Sequence, residues 1–195
     1  MDRFFFITDN ERIKNALLDL KIIEFNDGNP ITDQRKQIHS FITEDFCRGS
    51  PMLEYLKTNI LYDKNTTIFI HGGYEILGLV NFRIMKIANK DVLMTKGICV
   101  PDNNTDKKRG SELLNILKNL GKNLDLHKIV IFSLPEAKKF YEQNGFIPES
   151  EYMIYHLKGG KKRKKINKKL TKRQKLTKRQ KLTKRQKLTK RQKLI

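Results

Sequence analysis

The sequence has no tryptophan, and only two cysteines, five prolines and four histidines among its 195 residues. Two cysteines, Cys47 and Cys99, are too few for the bridges that staple small secreted domains, so reduced thiols in an intracellular protein are expected. The histidines, His39, His71, His127 and His156, are scattered without metal-ligand spacing, and no metal site is expected. Zinc motifs, serine triads and Walker loops are missing too. No apolar run approaches the roughly 20 residues of a membrane-spanning helix, and residues 1–7 are too short and wrongly flanked for a signal peptide. An intracellular protein, cytoplasmic or nuclear, is the expectation.

Acidic residues are missing from one region only. Residues 158–195 hold 20 of the 41 Lys and Arg side chains and none of the 21 Asp and Glu. The first 157 residues therefore carry 21 of each sign and are neutral. The net charge of +20 belongs to the tail, which leaves residues 1–157 as one domain with its own core and 158–195 as a basic extension.

Within the body, the hydrophobic period changes along the chain. Phe4–Thr8 reads as a strand, followed by a helix through Leu20, capped by Asp9 or Asn10, with Ile13, Leu17 and Leu20 on one face. A short strand at 22–25 ends in a turn at 26–30. A helix from Thr32 or Asp33 places Ile38, Phe41, Ile42 and Phe46 at helical spacing. A further helix opens at Pro51 behind Ser50 and buries Leu53, Leu56 and Ile60. From Thr66 alternation takes over: a hairpin turning at glycine, with Ile76, Gly78, Val80, Phe82 and Ile84 on one face, then a strand over 92–100. A leucine stripe at Leu113, Leu114, Leu117 and Leu120 comes next. Lys128–Leu134 then reads as a strand buried on both faces. Strand, helix, strand at this spacing implies a right-handed parallel crossover. A short helix opens at Pro135 and stops at Asn144 and Gly145, and Tyr152–Leu157 closes the body.

The junction at residues 98–114 combines a strand end, a basic loop and a helix start. Orphan helix N–H groups and the helix dipole make such a junction a candidate anion site, and Lys107, Lys108 and Arg109 add positive charge there.

Ala137, Phe140, Tyr141, Gly145 and Phe146 resemble the AxxFYxxxGF signature near the end of GCN5-related N-acetyltransferases (the GNAT superfamily). Upstream, that family shows a strand ending in V-x-P and an (R/Q)-x-x-G-x-(G/A) loop that opens a helix. The interval from Val100 to Gly110 is the one the family commonly uses. The resemblance covers most of residues 60–157. Laid on the pattern, the Arg/Gln position falls on Thr105, the first glycine on Lys108 and a commonly seen asparagine on Leu134; Pro101 stands one place early. Phosphate is held mainly by backbone N–H groups, which a lysine also supplies. A position requiring positive φ would cost lysine roughly 1 kcal/mol or more relative to glycine.

The resemblance implies an α/β fold, a mixed sheet mostly antiparallel with one central parallel pair and helices on both faces. It also implies acetyl-CoA as co-substrate. Ile98, Cys99 and Val100 would meet the pantetheine, and Lys107, Lys108, Arg109, Gly110 and Ser111 the pyrophosphate. An amine acceptor, protein or small molecule, attacks the thioester directly, and Tyr141 protonates the departing thiolate. A lysine-like amine needs about 4–5 kcal/mol to lose its proton at neutral pH. The strand at 92–100 holds no carboxylate, so Glu75 or His71 is left as a candidate base. The competing reading is a degenerate, non-enzymatic CoA-binding or scaffold domain.

The tail runs through a basic cluster at 161–165 and then repeats Lys-Leu-Thr-Lys-Arg-Gln four times from Lys169. Six residues advance about 600° on a helix, so the leucines make no stripe and no core, and the tail is expected to be disordered when free. Electrostatic binding of residues 161–195 to nucleic acid or another polyanion is the functional expectation. A tolerated repeat expansion is the bland one.

Overall fold

A computed structural model describes residues 3–42, 46, 51–72, 75–101 and 108–157. The described elements are β1 (Arg3–Ile7), α1 (Glu11–Asp19), β2 (Ile23–Glu24), α2 (Ile31–Ser40), α3 (Pro51–Ile60), β3 (Thr66–Gly72), β4 (Glu75–Ile87), β5 (Lys90–Cys99), α4 (Lys108–Asn123), β6 (Lys128–Phe132), α5 (Lys138–Gln143), β7 (Ile147–Glu149) and β8 (Tyr152–His156). A 3-10 turn, Pro135–Ala137, leads into α5.

The strands form one eight-stranded sheet in the order β2-β1-β3-β4-β5-β6-β8-β7. The central pair β5/β6 is parallel, as expected for a strand–helix–strand crossover through α4. A second parallel pair, β1/β2, stands at one edge and is only two residues long. The other pairings are antiparallel.

Two apolar layers cover the sheet. On one side Leu113, Leu114, Leu117 and Leu120 of α4, all fully buried, pack with α1 against Val80, Phe82, Leu93, Ile129 and Ile131. At about 1.5–3 kcal/mol per buried side chain, the four leucines alone supply roughly 6–12 kcal/mol of transfer free energy. On the other side Ile38 of α2 and Leu53, Leu56 and Ile60 of α3 pack on Phe69, Ile76, Leu79 and Cys99.

Local chemistry sets the boundaries. Asn10 caps α1, its side-chain oxygen accepting the Ile13 N–H at 3.1 Å. The β4–β5 connection is a two-residue turn with positive φ at both Ala88 and Asn89. That is the primed geometry favoured by strand twist. Gly145, at φ +84°, takes the left-handed position just past α5.

Four sequence expectations need correction. Ile76 does not share a face with Val80, Phe82 and Ile84: it packs on the α2/α3 side. The register shifts between Ile70 and His71, leaving Leu77 as an extra residue that inverts the alternation. Phe41 is 44% exposed, because α2 ends at Ser40 before a further turn can bury it. β6 stops at Phe132, itself 44% exposed, so the run to Leu134 is not buried on both faces. Cys99 is disulfide-bonded, and no described cysteine is free, contrary to the expectation of reduced thiols. A disulfide needs its Cβ atoms within about 3.5–4.5 Å, which counting cysteines in a sequence does not reveal. Cys47 and Ser50 lie outside the described residues. No described helix is long and apolar enough to cross a membrane.

Candidate active site

The central parallel pair does not stay paired. β5 and β6 run together from Val92 and Lys128 to Thr95 and Ile131, where their ladder ends. β5 continues for four residues more, still paired on its other side to β4 as far as Cys99 with Leu79. The divergence coincides with a bulge: Thr95 faces Phe82 and Gly97 faces Asn81, so Lys96 is an extra residue. A bulge bends its strand and re-aims the residues beyond it. The backbone of Gly97, Ile98 and Cys99 therefore edges a wedge between the β5 and β6 ends.

Gly97 also lets α3 come close. A Cβ there would stand 2.9 Å from Leu56 Cδ1, inside van der Waals contact. Cys99 is buried on the α2/α3 side, while Ile98 packs from the α4 side. Val100 is half-buried, and Pro101 bridges to Phe46.

Residues 102–107 lie outside the described set, so Thr105 and Lys107 have no placement. Lys108, Arg109, Gly110 and Ser111 form the first turn of α4, which carries no acidic side chain. The leading N–H groups of any helix find no intrahelical acceptor, and here the positive end of a 16-residue helix has no carboxylate in its first turn to offset it. Lys108 is exposed and helical and does not take positive φ. The strain that would penalise lysine against glycine is not incurred there. Gly110 is needed for space rather than for φ: a Cβ would lie 3.0 Å from Phe140 Cζ. The helix start and the Phe140–Phe146 stretch are thus in direct contact.

Tyr141 sits on α5, buried to 6% exposure, with ring centroids 5.2 Å from Phe140 and 5.9 Å from Phe146. Burial pushes its phenol up to about 12, so at neutral pH it holds its proton. Lys118 of α4 fixes the far end of this helix. Its Nζ donates to the Asn144 carbonyl at 2.7 Å and lies 5.0 Å from the Tyr155 ring centroid and 5.7 Å from that of Phe146. Burial first, and Lys122 second, lower the Lys118 pKa.

The base candidates are less tightly held. His71 and Glu75 flank the β3–β4 hairpin at the same end of the sheet as Cys99. His71 is half-buried with its ring 6.0 Å from that of Phe5, whereas Glu75 is exposed. The β7–β8 turn is an addition that the sequence reading missed. Buried Ser133 comes just after β6, and its N–H donates to the Glu151 carbonyl at 3.4 Å. The missed signal was Gly97, since an isolated glycine in a strand pattern marks a bulge or a close approach. Among the described residues no group of three His, Cys, Asp or Glu side chains stands ready for a metal ion. Two cavities of about 410 and 680 Å³ flank Arg12, near Asp91 and Asn123 respectively. They lie at the opposite end of β5 from the wedge.

No protein-family model and no curated protein sequence matches the chain. Solved structures do. Tetrahymena GCN5 superposes with a TM-score of 0.52 at 16% identity, covering 68% of this chain and 92% of that one. The catalytic domain of Tetrahymena GCN5 histone acetyltransferase in complex with coenzyme A gives 0.51 at 16% identity, over 83% and 96%. The fold is that of the GCN5-related N-acetyltransferases. A GNAT-family acetyltransferase structure from Desulfovibrio desulfuricans agrees, with a TM-score of 0.50 at 12% identity over 64% and 93%. Gly110 in the first turn of α4 and Phe140 on α5 form a contact pair next to Tyr141. Its members are widely separated in the sequence.

Proposed function

We propose that this chain is an acetyl-CoA-dependent N-acetyltransferase that moves an acetyl group to a primary amine by direct attack. The observation that carries this reading is the end of the β5/β6 ladder at Thr95 and Ile131, with β5 running on toward α4, whose first turn carries no acidic side chain. An extended pantetheine carries amide groups that match the open edge of Gly97–Cys99, and Val100 lines the exit. The pyrophosphate is assigned to the Lys108–Ser111 turn, with Lys107, the residue before it in the sequence, adding positive charge. The neutral amine adds to the thioester carbon, the C–S bond breaks, and Tyr141 supplies a proton to the thiolate. A phenol held near 12 is fully protonated at pH 7, and positioned acid assistance is typically worth about 10²–10⁴-fold. Glu75 or His71 is the base, directly or through water.

The test is thermal stabilisation of the protein by acetyl-CoA, then acetyl transfer to a panel of amines. A ligand at about 100 times its Kd raises stability by about 2.7 kcal/mol. An unchanged melting curve at millimolar acetyl-CoA removes every CoA-dependent reading. Binding without transfer to any amine favours the degenerate scaffold, a reading supported by Leu134 where relatives carry asparagine.

We propose further that residues 158–195 hold the domain, residues 1–157, on nucleic acid. Deleting 158–195 is expected to abolish salt-sensitive retention on DNA or RNA. Unchanged retention rules this out.

A further inference from the structure

One cation beside the wedge has no partner in the fold. Phe82 and Ile84 pack on the α4 side of β4, so alternation puts Arg83 on the opposite, α2/α3 face. Arg83 is half-buried, and its Nε is buried with no hydrogen-bond partner. Among the described residues no carboxylate pairs with it. A buried donor without an acceptor is destabilising, and its retention calls for a reason. We propose that Arg83 recognises an anion on the acceptor, and that the acceptor is an amine bearing a carboxylate or phosphate group. This rests on the acetyl-transfer reading of the β5–β6 wedge and names a substrate class for it.

Strand register places Arg83 against the wedge. Arg83, Met94, Val130 and Ile154 form one row across β4, β5, β6 and β8. The β5/β6 ladder ends one residue beyond that row, at Thr95 and Ile131. At about 4.8 Å between strands, the Arg83 backbone lies roughly 5 Å from β5 and 10 Å from β6. On the other face α4, with the turn assigned to the pyrophosphate, and α5, with Tyr141, pack on the sheet. An amine attacking the thioester is left the α2/α3 side, where Arg83 stands. On that same side Phe132 pairs with Tyr152 at the end of β6. Their rings, 44% and 36% exposed with centroids 6.1 Å apart, offer an apolar wall to the acceptor's carbon skeleton.

An arginine suits this task. Its planar fork offers paired N–H donors to a carboxylate or phosphate, and it stays charged throughout the working pH range. Met94 across the ladder and Met85 along β4 keep the surroundings apolar, and a drier site strengthens such a pair. A carboxylate in place of Met94 would pair with Arg83 and cancel it; β5 holds none from Val92 to Cys99. An amine without an anion leaves the guanidinium unanswered, and a site built to bond a polar group discriminates against the analogue lacking it. The anion takes no part in the bond changes. The amine nitrogen bonds to the acetyl carbon, the C–S bond breaks, one nitrogen proton departs and the thiolate takes one up.

The experiment compares amines that differ by the anion: β-alanine against ethylamine for the carboxylate, phosphoethanolamine against ethanolamine for the phosphate. Acetyl transfer, and thermal stabilisation by each amine in the presence of CoA, are read for the full chain, Arg83→Gln and Arg83→Lys. Expected is a kcat/KM about 10–100-fold higher for the anionic member of at least one pair. The pair that shows it tells carboxylate from phosphate. In Arg83→Gln the ratio should fall toward one through a higher KM for the anionic amine, and Arg83→Lys should keep part of it. Equal kcat/KM within both pairs overturns this inference and leaves the acetyltransferase reading standing, and so does a ratio that survives Arg83→Gln. That first comparison needs no variant, so it holds even where Arg83→Gln fails to fold. Where no amine is acetylated, stabilisation decides. An anionic amine that stabilises the full chain but not Arg83→Lys or Arg83→Gln supports the anion site while the transfer reading falls. No stabilisation by either anionic amine then overturns both.

Discussion

The two sides of the sheet are held by different forces. The α4 side is a leucine stripe on an apolar sheet face, without direction beyond shape. The α2/α3 side adds a polar lock. Arg35 of α2, 2% exposed, donates from Nη1 to the Ile60 and Tyr62 carbonyls, and from Nη2 to the Asp63 and Asn65 carbonyls and to Asp9 Oδ2. One guanidinium thus ties α2 to the end of α3, the turn before β3 and the end of β1. Asn65 and Asn81 extend the lock to the Asn59 carbonyl, and Asn81 also reaches Thr67 Oγ1 at 3.0 Å. The apolar side tolerates some repacking, since shape complementarity can be re-found by neighbouring side chains. The lock cannot, because five acceptors converge on one planar donor set.

The sharpest way to break the comparison is on the lock. Arg35→Ala leaves four carbonyls and a carboxylate without their shared donor, and should cost about 3–5 kcal/mol. Chemical denaturation would read it, and a loss below about 1 kcal/mol would mean the lock is ornamental. On the opposite side, Leu117→Ala should cost about 2–5 kcal/mol through lost transfer energy and a residual cavity. If Leu117→Met is nearly neutral while Arg35→Lys is not, the contrast between shape and direction holds. A third measurement separates the sides by pH. Tyr141 on the apolar side is held at about 12, against an ordinary value near 10. Its contribution is fully present below pH 10, and stability falls as pH rises from about 10 to 12, where the folded state keeps a proton that the unfolded chain releases. The fall is about 2–3 kcal/mol in all; Tyr141→Phe should flatten that slope in thermal melts. The smallest effect is at the edge of the α1 layer: Asn10→Ala removes the cap on Ile13 N–H and should cost about 1 kcal/mol. Separately, alkylation of the unreduced protein should leave Cys99 unlabelled, and labelling would disprove the disulfide.

Legibility in the sequence divides the same way. The α4 stripe at Leu113, Leu114, Leu117 and Leu120 was legible because period alone determines it. The Gly110–Phe140 neighbourhood was legible only through resemblance, since no local rule brings those two stretches together. The Arg35 lock was not legible. Its acceptors are mostly backbone carbonyls near residue 60, and their availability depends on where α3 ends. The bulges at Leu77 and Lys96 escaped as well, because alternation was read as if it never slipped, and Ile76 was assigned to the wrong face as a result. Tyr141 and the α4 turn entered as site candidates by motif alone. The wedge at Thr95 was not legible, because it depends on where pairing stops.

Strand alternation is a reading frame with two phases, and Lys96 is its single-letter insertion. Upstream of it β5 is in one phase; Gly97, Ile98 and Cys99 are read in the other. Removing that one residue would restore the frame. Gly97 would then follow Thr95 directly and still face Asn81, so Ile98 would keep its α4 side and Cys99 its α2/α3 side, while the bend that the bulge puts into β5 would be lost. A deletion of Lys96 therefore leaves every side chain in phase and straightens the strand, and its effect is confined to the wedge.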